Sequence, residues 1–225
     1  QQKDAASFIF SSSCTVYGQA EKMPITEDAP VQQPMSPYGN TKKVGEEIIR
    51  DTAKASSINA ILLRYFNPIG AHPTAAIGEL PIGVPQNLVP FITQTAIGLR
   101  QELSVFGDDY PTPDGTAVRD YIHVVDLAKA HVIALERLLE KKNTDRVETF
   151  NLGTGTGSSV LEVIQSFERV SGQKLPYKIV PRREGDVTEA YANTHQANTV
   201  LGWKAESTLD EAMASAWKWE QKIRS

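Results

Sequence analysis

The chain has 225 residues, of which 40% are apolar and 22% charged, and its 23 basic and 27 acidic side chains give a net charge of −4. These proportions are typical of a globular protein that buries its own core without disulfides or metals. The mild negative charge argues against a nucleic-acid partner, and the sequence has no apolar run of about 20 residues that would cross a membrane. Cys14 is the single cysteine of the sequence, which excludes an intrachain disulfide and favours a reducing, cytoplasmic compartment. The spacing of the histidines predicts no metal site.

The beginning of the chain reads as a strand, a helix and a second strand. Residues 7–12 are short and β-rich, and they predict a buried strand. Ser36 followed by Pro37 is typical of a helix start, and the helix is predicted to reach about residue 55. Its apolar stripe is formed by Val44, Ile48 and Thr52. Residues 59–66 predict a second buried strand, so the three elements form a βαβ unit with parallel pairing.

The rest of the chain continues as a mixture of helices and strands. Residues 67–119 are rich in proline and predict an elaborated loop region with one helix over residues 88–100. Further helices are predicted over 126–141, 158–170 and 209–223, and further strands over 149–152 and 177–180. This order predicts an α/β fold with a mostly parallel sheet.

Tyr38 and Lys42 lie four residues apart in the first turns of a predicted helix and therefore share one face. A neighbouring ammonium stabilises a phenolate, which makes tyrosine usable as a general base near neutral pH. The bare spacing occurs by chance in many helices, but Ser13 and Asn67 each follow a predicted strand. Ligands bind at the carboxyl ends of parallel strands, so we expect these side chains to meet at one edge of the sheet.

Several sequence blocks carry a family resemblance. They are SSSCTVYG at 11–18, SPYGNTK at 36–42, RYFNPIGAHP at 64–73, PQNL at 85–88, VFGDDY at 105–110, DGTAVRDYIH at 114–123 and PRREGD at 181–186. Over nearly the whole chain these blocks resemble the extended short-chain dehydrogenase/reductases, and within them the UDP-glucose (UDP-galactose) 4-epimerase family. The resemblance implies a partial Rossmann-like, doubly wound parallel sheet with a smaller mixed α/β substrate-binding domain.

The resemblance also implies a division of the chain. Residues 1–70 and 120–155 would be the remainder of an NAD-binding domain, and residues 71–119 and 156–225 a UDP-sugar-binding domain. The family opens with a strand and a G-x-x-G-x-x-G turn for the NAD pyrophosphate. Nothing of that kind precedes Ser7, so we expect roughly the N-terminal third of a family member to be missing and this chain to be inactive alone. The run GTGTG at 153–157 has a different spacing and is expected to be a tight strand-to-helix turn.

The implied activity is NAD-dependent 4-epimerisation of UDP-galactose and UDP-glucose through a 4-keto intermediate. In this activity Tyr38 takes the proton of the sugar 4-hydroxyl, Lys42 holds the nicotinamide ribose, and Ser13 hydrogen-bonds near the same hydroxyl. The implied NAD contacts are Ser13, Tyr38, Lys42 and Phe66. The implied substrate contacts are Ser13, Thr15, Asn67, Asn87, Leu88, Ser104, Val105, Phe106, Arg119, Arg183, Asp186 and Ala190.

Two of these assignments have alternatives. Arg119 and Arg183 are the implied diphosphate ligands, because guanidinium groups match phosphate geometry, but Arg119 could instead pair with Asp120. Ala190 would leave room for an N-acetyl group at the sugar C2 position, so UDP-GlcNAc and UDP-GalNAc would also be substrates. A shift of one residue would put Tyr191 there instead.

Other functions also remain open. A related sugar-nucleotide dehydratase or decarboxylase typically carries an acid near the Ser13 position, and residues 13–15 contain none. A second alternative is a non-catalytic module that binds a UDP-sugar. The family further implies a homodimer formed through the helix that carries Tyr38, although the exposed face of that helix is expected to be charged.

Overall fold

The computed structural model describes residues 7–225 as an α/β structure built mainly on parallel strands. Its strands are β1 (Ser7–Ser13), β2 (Asn59–Tyr65), β3 (Asn67–Ile69), β4 (Leu103–Phe106), β5 (Val118–Arg119), β6 (Tyr121–His123), β7 (Val147–Leu152), β8 (Ser158–Ser159), β9 (Tyr177–Val180) and β10 (Glu189–Ala190). Its helices are α1 (Pro37–Ala55), α2 (Leu88–Ala96), α3 (Val124–Leu139), α4 (Val160–Ser171) and α5 (Leu209–Arg224), with a 3-10 turn at Cys14–Tyr17 and a π-helical turn at Ala197–Leu201. In this part of the chain no helix is long and apolar enough to cross a membrane.

The main sheet has the strand order β1-β2-β7, and all its strands are parallel. Alternate side chains of β1 face opposite helices, as expected from the two-residue repeat of a strand. Ser11 hydrogen-bonds to His131 of α3, whereas Ser12 donates to Glu46 of α1. Helices therefore cover both faces of the sheet, which confirms the predicted doubly wound, Rossmann-like architecture and its βαβ unit.

The described residues form three hydrophobic cores, two larger ones and a third that surrounds Phe66. The first lies between the main sheet and α3, where Leu63, Ala134 and Phe150 are buried. The second joins α2, α4, α5 and β4. In the second core the rings of Phe167 and Trp217 meet edge to face, with 5.5 Å between their centroids.

The region predicted as an elaborated loop, residues 67–119, is more ordered than expected. It contains β3, β4 and β5, and α2 ends at Ala96 rather than near residue 100. Strand β4 pairs with β9 in the register Leu103 to Tyr177. Strands of two to four residues that pair with distant partners carry too little periodicity to be predicted locally.

Two predictions about burial were wrong. In α1 the apolar side chains Val44 and Ile48 are 41% and 60% exposed, while Glu46 is buried. The carboxylate of Glu46 tolerates burial because it accepts hydrogen bonds from Arg64 and Ser12. Strand β1 forms as predicted but is only half-buried over most of its length.

Candidate functional site

Ser13 and Tyr38 occupy the carboxyl edge of the main sheet. Ser13 ends β1 and caps the 3-10 turn, accepting hydrogen bonds from the backbone N–H of Thr15 at 3.2 Å and from its hydroxyl at 3.0 Å. Helix α1 begins at Pro37, and the hydroxyl of Ser36 accepts from the N–H of Gly39 at 3.1 Å. This cap fixes the first turn, in which Tyr38 is 52% exposed.

Lys42 connects α1 to β1. Its ammonium donates to the carbonyl oxygen of Ser11 at 2.8 Å, and it lies 5.3 Å from the centre of the Tyr38 ring and 5.4 Å from that of Phe10. The ammonium therefore lies against the face of the Tyr38 ring, in the arrangement of a cation–π contact. The sequence-based pairing of Tyr38 with Lys42 corresponds to a real contact.

A buried polar network lies behind this edge, and the sequence analysis missed it. The guanidinium of Arg64 donates to Glu46 at 2.8 Å and to the hydroxyl of Tyr17 at 2.9 Å. The Tyr17 hydroxyl donates to the side chain of Asn151 at 2.7 Å. Burial raises the pKa of Tyr17 to about 12, so this phenol stays neutral. The network ties α1 to β2, β7 and the 3-10 turn, and Tyr17 is unsuited to act as a base.

A cavity of about 430 Å³ lies beside the same edge. Most of the predicted substrate contacts line it, namely Asn67, Asn87, Leu88, Ser104, Phe106, Arg119, Arg183 and Asp186. The structure thus brings together residues that are more than a hundred positions apart in sequence.

Other predicted residues lie outside this cavity. Val105 points into the second core, because neighbouring residues of a strand face opposite sides. The ring of Phe66 is buried among Val16, Tyr17 and Ile25, and its backbone N–H donates to the carbonyl of Leu152 at 3.1 Å, so neither group faces a cofactor. Ser13 and Thr15 belong to the edge described above. Ala190 is half-buried on β10, paired with Arg119.

The charges of the cavity wall are arranged around Asp186. Its carboxylate accepts a hydrogen bond from Arg183 at 2.9 Å and lies 3.6 Å from the guanidinium of Arg119. Arg183 also stacks over the ring of Phe106, 4.7 Å from its centre. The alternative pairing of Arg119 with Asp120 is therefore wrong. With Glu102, which also lines the cavity, two carboxylates balance the two guanidinium groups. An anionic ligand would therefore be bound through the hydrogen-bonding geometry of the guanidinium groups and not through a net positive charge.

Tyr121 is a cavity residue that the sequence analysis missed. Burial raises its pKa to about 12, although the nearby charges of Arg119 and Arg183 oppose the rise. A phenol of this kind remains a neutral hydrogen-bond donor. Tyr121 could have been predicted from the sequence, because residues 119 and 121 of an extended segment point to the same side and Arg119 was already assigned to the site.

The glycine-rich turn at 153–157 already holds an anion from the chain itself. The N–H groups of Thr154 and Gly155 donate to the carboxylate of Asp120 at 2.7 Å and 3.2 Å. Since these donors are in use, the turn does not offer a dinucleotide pyrophosphate site. The predicted structural role of the turn agrees with this geometry.

Known proteins resemble the chain in sequence. A model of the family described as GDP-mannose 4,6 dehydratase matches residues 1–216. The chain is 53% identical over 215 residues to the UDP-glucose 4-epimerase of Mus musculus, which covers 95% of this chain and 61% of the relative. It is 52% identical over 213 residues to the UDP-glucose 4-epimerase of Bacillus subtilis (strain 168), with 94% and 62% covered. The chain thus spans less than two thirds of the length of these relatives.

Solved structures resemble the fold closely. The UDP-glucose 4-epimerase from Stenotrophomonas maltophila, crystallised with NAD and formylated UDP-arabinopyranose, superposes with a TM-score of 0.93 at 50% identity, covering 97% of this chain and 64% of that one. The UDP-glucose 4-epimerase from Bifidobacterium longum in complex with NAD⁺ and UDP gives a TM-score of 0.90 at 49% identity, with the same coverage.

Proposed function

The chain belongs to the GDP-mannose 4,6 dehydratase family, among the extended short-chain dehydrogenase/reductases, and from this membership we propose that it takes part in the NAD-dependent interconversion of UDP-galactose and UDP-glucose. The observation that carries the proposal is the ammonium of Lys42, held by the carbonyl of Ser11 against the ring of Tyr38. This pair stands at the sheet edge beside the cavity that Asn67, Arg119 and Arg183 line. The names of the close relatives support the same reaction.

The residues at this edge fit the nicotinamide end of NAD. Tyr38 is exposed, and the Lys42 ammonium keeps donors beyond the one it gives to Ser11. The glycine-rich turn at 153–157 does not fit the pyrophosphate, because Asp120 occupies its N–H groups. When bound, NAD would supply the hydride acceptor and donor for carbon 4 of the sugar.

The chain's own residues then perform the proton transfer. Tyr38 accepts the proton of the sugar 4-hydroxyl and returns it after the sugar has presented its other face. Lys42 stabilises the phenolate during this exchange, and the hydroxyl of Ser13 hydrogen-bonds to the same sugar oxygen. Arg119 and Arg183 hold the diphosphate, so the nucleotide remains anchored while the sugar turns.

We propose that the chain divides into two parts, as its family resemblance implies. The NAD-binding part comprises residues 1–70 and 120–155, and the UDP-sugar-binding part comprises residues 71–119 and 156–225. Most residues of the core between the main sheet and α3 belong to the first part, and most residues of the core of α2, α4 and α5 belong to the second. The division is not complete, because Ala197, Leu201 and Trp203 pack in the first core.

Product analysis tests this function directly. The enzyme to test is a protein of the relatives' length that contains this chain, because we expect the chain alone to be inactive. Loaded with NAD and incubated with UDP-galactose, this enzyme should form UDP-glucose without net consumption of NAD. A 4-keto-6-deoxy product would instead assign the dehydratase reaction, which the absence of an acid among residues 13–15 disfavours. Binding of UDP-galactose without turnover by the NAD-loaded enzyme would assign a binding module.

The exposed stripe of α1 supports a homodimer. Val44 and Ile48 place apolar surface on the outside of the helix, where a second copy would cover it. We expect Ile48→Glu to reduce the mass measured by light scattering to that of a monomer. Ile77→Glu, at an equally exposed position in a loop, is the control and should leave the dimer intact. A monomeric wild-type enzyme would contradict the proposal.

The single cysteine fits a reducing compartment. Burial raises the pKa of the Cys14 thiol to about 12, so the thiol is neither a nucleophile nor readily oxidised. We propose the cytoplasm as the site of action because a sequence with one cysteine forms no intrachain disulfide, as is usual in reducing compartments.

A further inference from the structure

Asp120 sits between two residues of the cavity wall but does not enter the cavity. Arg119 and Tyr121, its chain neighbours, both line that cavity. The side chain of Asp120 turns to the other side and is 0% exposed. Its carboxylate accepts from the N–H and hydroxyl of Thr154, both at 2.7 Å, from Gly155 at 3.2 Å and from the N–H of Ala192 at 3.1 Å.

The glycine-rich turn is shaped around this carboxylate. A Cβ atom at Gly153 would lie 2.2 Å from a carboxylate oxygen of Asp120, so a larger residue would push the aspartate away. Gly155 has a φ of +82°, in the region that favours glycine. The turn therefore has the glycine pattern of an anion-binding loop, and its anion is a side chain of the same protein.

The backbone of Asp120 joins the segments that carry three proposed substrate contacts. Its N–H donates to the carbonyl of Ala190 at 3.0 Å, and its carbonyl accepts from the N–H of Asn67 at 2.9 Å. Arg119 precedes it and pairs with Ala190 between β5 and β10. A shift of Asp120 would move all three segments together.

We infer that Asp120, clamped by the turn at 153–157, is a positioning residue that sets Asn67, Arg119 and Ala190 around the nucleotide sugar without touching it. This inference rests on the proposed function, because it assumes that the cavity binds UDP. It also gives the glycine-rich turn a structural role, because the turn binds Asp120 on the side of the wall that faces away from the cavity.

Calorimetric titration with UDP tests the inference. Asp120→Asn replaces a carboxylate oxygen with an amide that faces N–H donors, and we expect UDP to bind about tenfold more weakly. Thr154→Val removes one hydroxyl donor to Asp120 and should weaken UDP binding by a smaller factor than Asp120→Asn does. Thr154→Ser keeps the hydroxyl and should bind UDP as tightly as the wild type. In the holoenzyme these variants should raise KM for UDP-galactose more than they lower kcat.

Asp126→Asn is the matched control. Asp126 is equally buried and accepts backbone N–H bonds from Glu206 and Ser207, but it lies outside the cavity wall. We expect this variant to lower the melting temperature and to leave UDP affinity unchanged. If Asp126→Asn weakens UDP binding as much as Asp120→Asn does, the effect is general destabilisation and the inference is overturned.

The remaining outcomes separate the inference from the proposed function. If the wild type binds UDP and Arg183→Ala weakens it, while the Asp120 and Thr154 variants bind normally, the positioning role is overturned and the proposed function stands. If the wild type does not bind UDP, both are overturned. Should Asp120→Asn fail to fold, the milder Thr154→Val and Thr154→Ser pair decides the question, supported by faster hydrogen exchange at Asn67 and Ala190 in Thr154→Val.

Discussion

The Tyr38–Lys42 pair and the cavity around Arg119 and Arg183 are built in opposite ways. Tyr38 is exposed, and the ammonium of its neighbour Lys42 is held in place by a hydrogen bond to the carbonyl oxygen of Ser11 in β1. The cavity wall instead combines an ion-paired cluster with a buried carboxylate behind it. The difference indicates that proton transfer depends on a few atoms of Tyr38 and Lys42, whereas nucleotide binding in the cavity is shared among many contacts. Substitutions in the two regions should therefore change different measured quantities.

Removal of the Tyr38 hydroxyl should give the largest effect. In Tyr38→Phe the ring remains but the proton acceptor is lost, so in the protein of full length we expect turnover to fall about 10²- to 10⁴-fold, the range of general acid–base catalysis. UDP affinity, measured by calorimetry, should be nearly unchanged. Tyr177→Phe, at another exposed tyrosine, is the control and should keep full activity. Wild-type turnover in Tyr38→Phe would show that the base is elsewhere.

The cavity should give the reverse result. Arg183→Ala removes a charged hydrogen-bond donor, and we expect UDP binding to weaken by about 1.5–3 kcal/mol. Its neighbour Arg182 provides a matched control, because it pairs with Asp109 and stacks on Tyr110 at 4.0 Å, outside the cavity. Arg182→Ala should bind UDP normally. Equal losses in the two variants would remove the distinction between these arginines.

Substrate range should respond to Ala190, which lies outside the cavity lining but is paired in the sheet with Arg119 of the cavity wall. We expect the enzyme to accept UDP-GlcNAc and UDP-GalNAc as well as the unsubstituted pair. Ala190→Tyr should weaken the N-acetylated pair selectively by about 1–3 kcal/mol, the cost of overfilling a packed site. Comparison of kcat/KM for both pairs measures this. If Ala190→Tyr leaves the N-acetylated pair unaffected, Tyr191 or another residue limits the space.

The smallest effect concerns His123, which joins β6 to Ser215 of α5 and so links the two larger cores. Burial lowers the pKa of His123, outweighing the opposing charges of Asp126 and Glu211, and the nearby Lys129 lowers it further. The unfolded chain therefore takes up a proton first as the pH falls below about 6.5, and the stabilisation present above that pH is lost. We expect the melting temperature to fall from pH 7.5 to 5.5 more steeply in the wild type than in His123→Gln. His72→Gln, in an exposed loop, should behave as the wild type; identical slopes in all three would contradict the assignment.

Local signals explain what could be predicted from the sequence. The Ser36-Pro37 start of α1 and its helical spacing were sufficient to pair Tyr38 with Lys42. Buried ion pairs were not predictable, because Glu46 reads as a surface charge until Arg64 is placed opposite it. The ion-pair partner of Arg119 could not be predicted for a similar reason, since Asp186 lies 67 residues further along the chain whereas the alternative considered, Asp120, is adjacent.

The carboxylate of Asp186 acts as a tethered competitor at the cavity wall. Any free anion that approaches Arg119 or Arg183 must displace a group that never diffuses away, and tethering of this kind corresponds to effective concentrations in the millimolar range. A lone phosphate makes no additional contacts that would help it to displace the Asp186 carboxylate from the two arginines. A nucleoside diphosphate does, because its base and ribose reach the rest of the lining. The Asp186 carboxylate thus lowers the affinity of the site for small anions and lets it select a nucleoside diphosphate over a free phosphate.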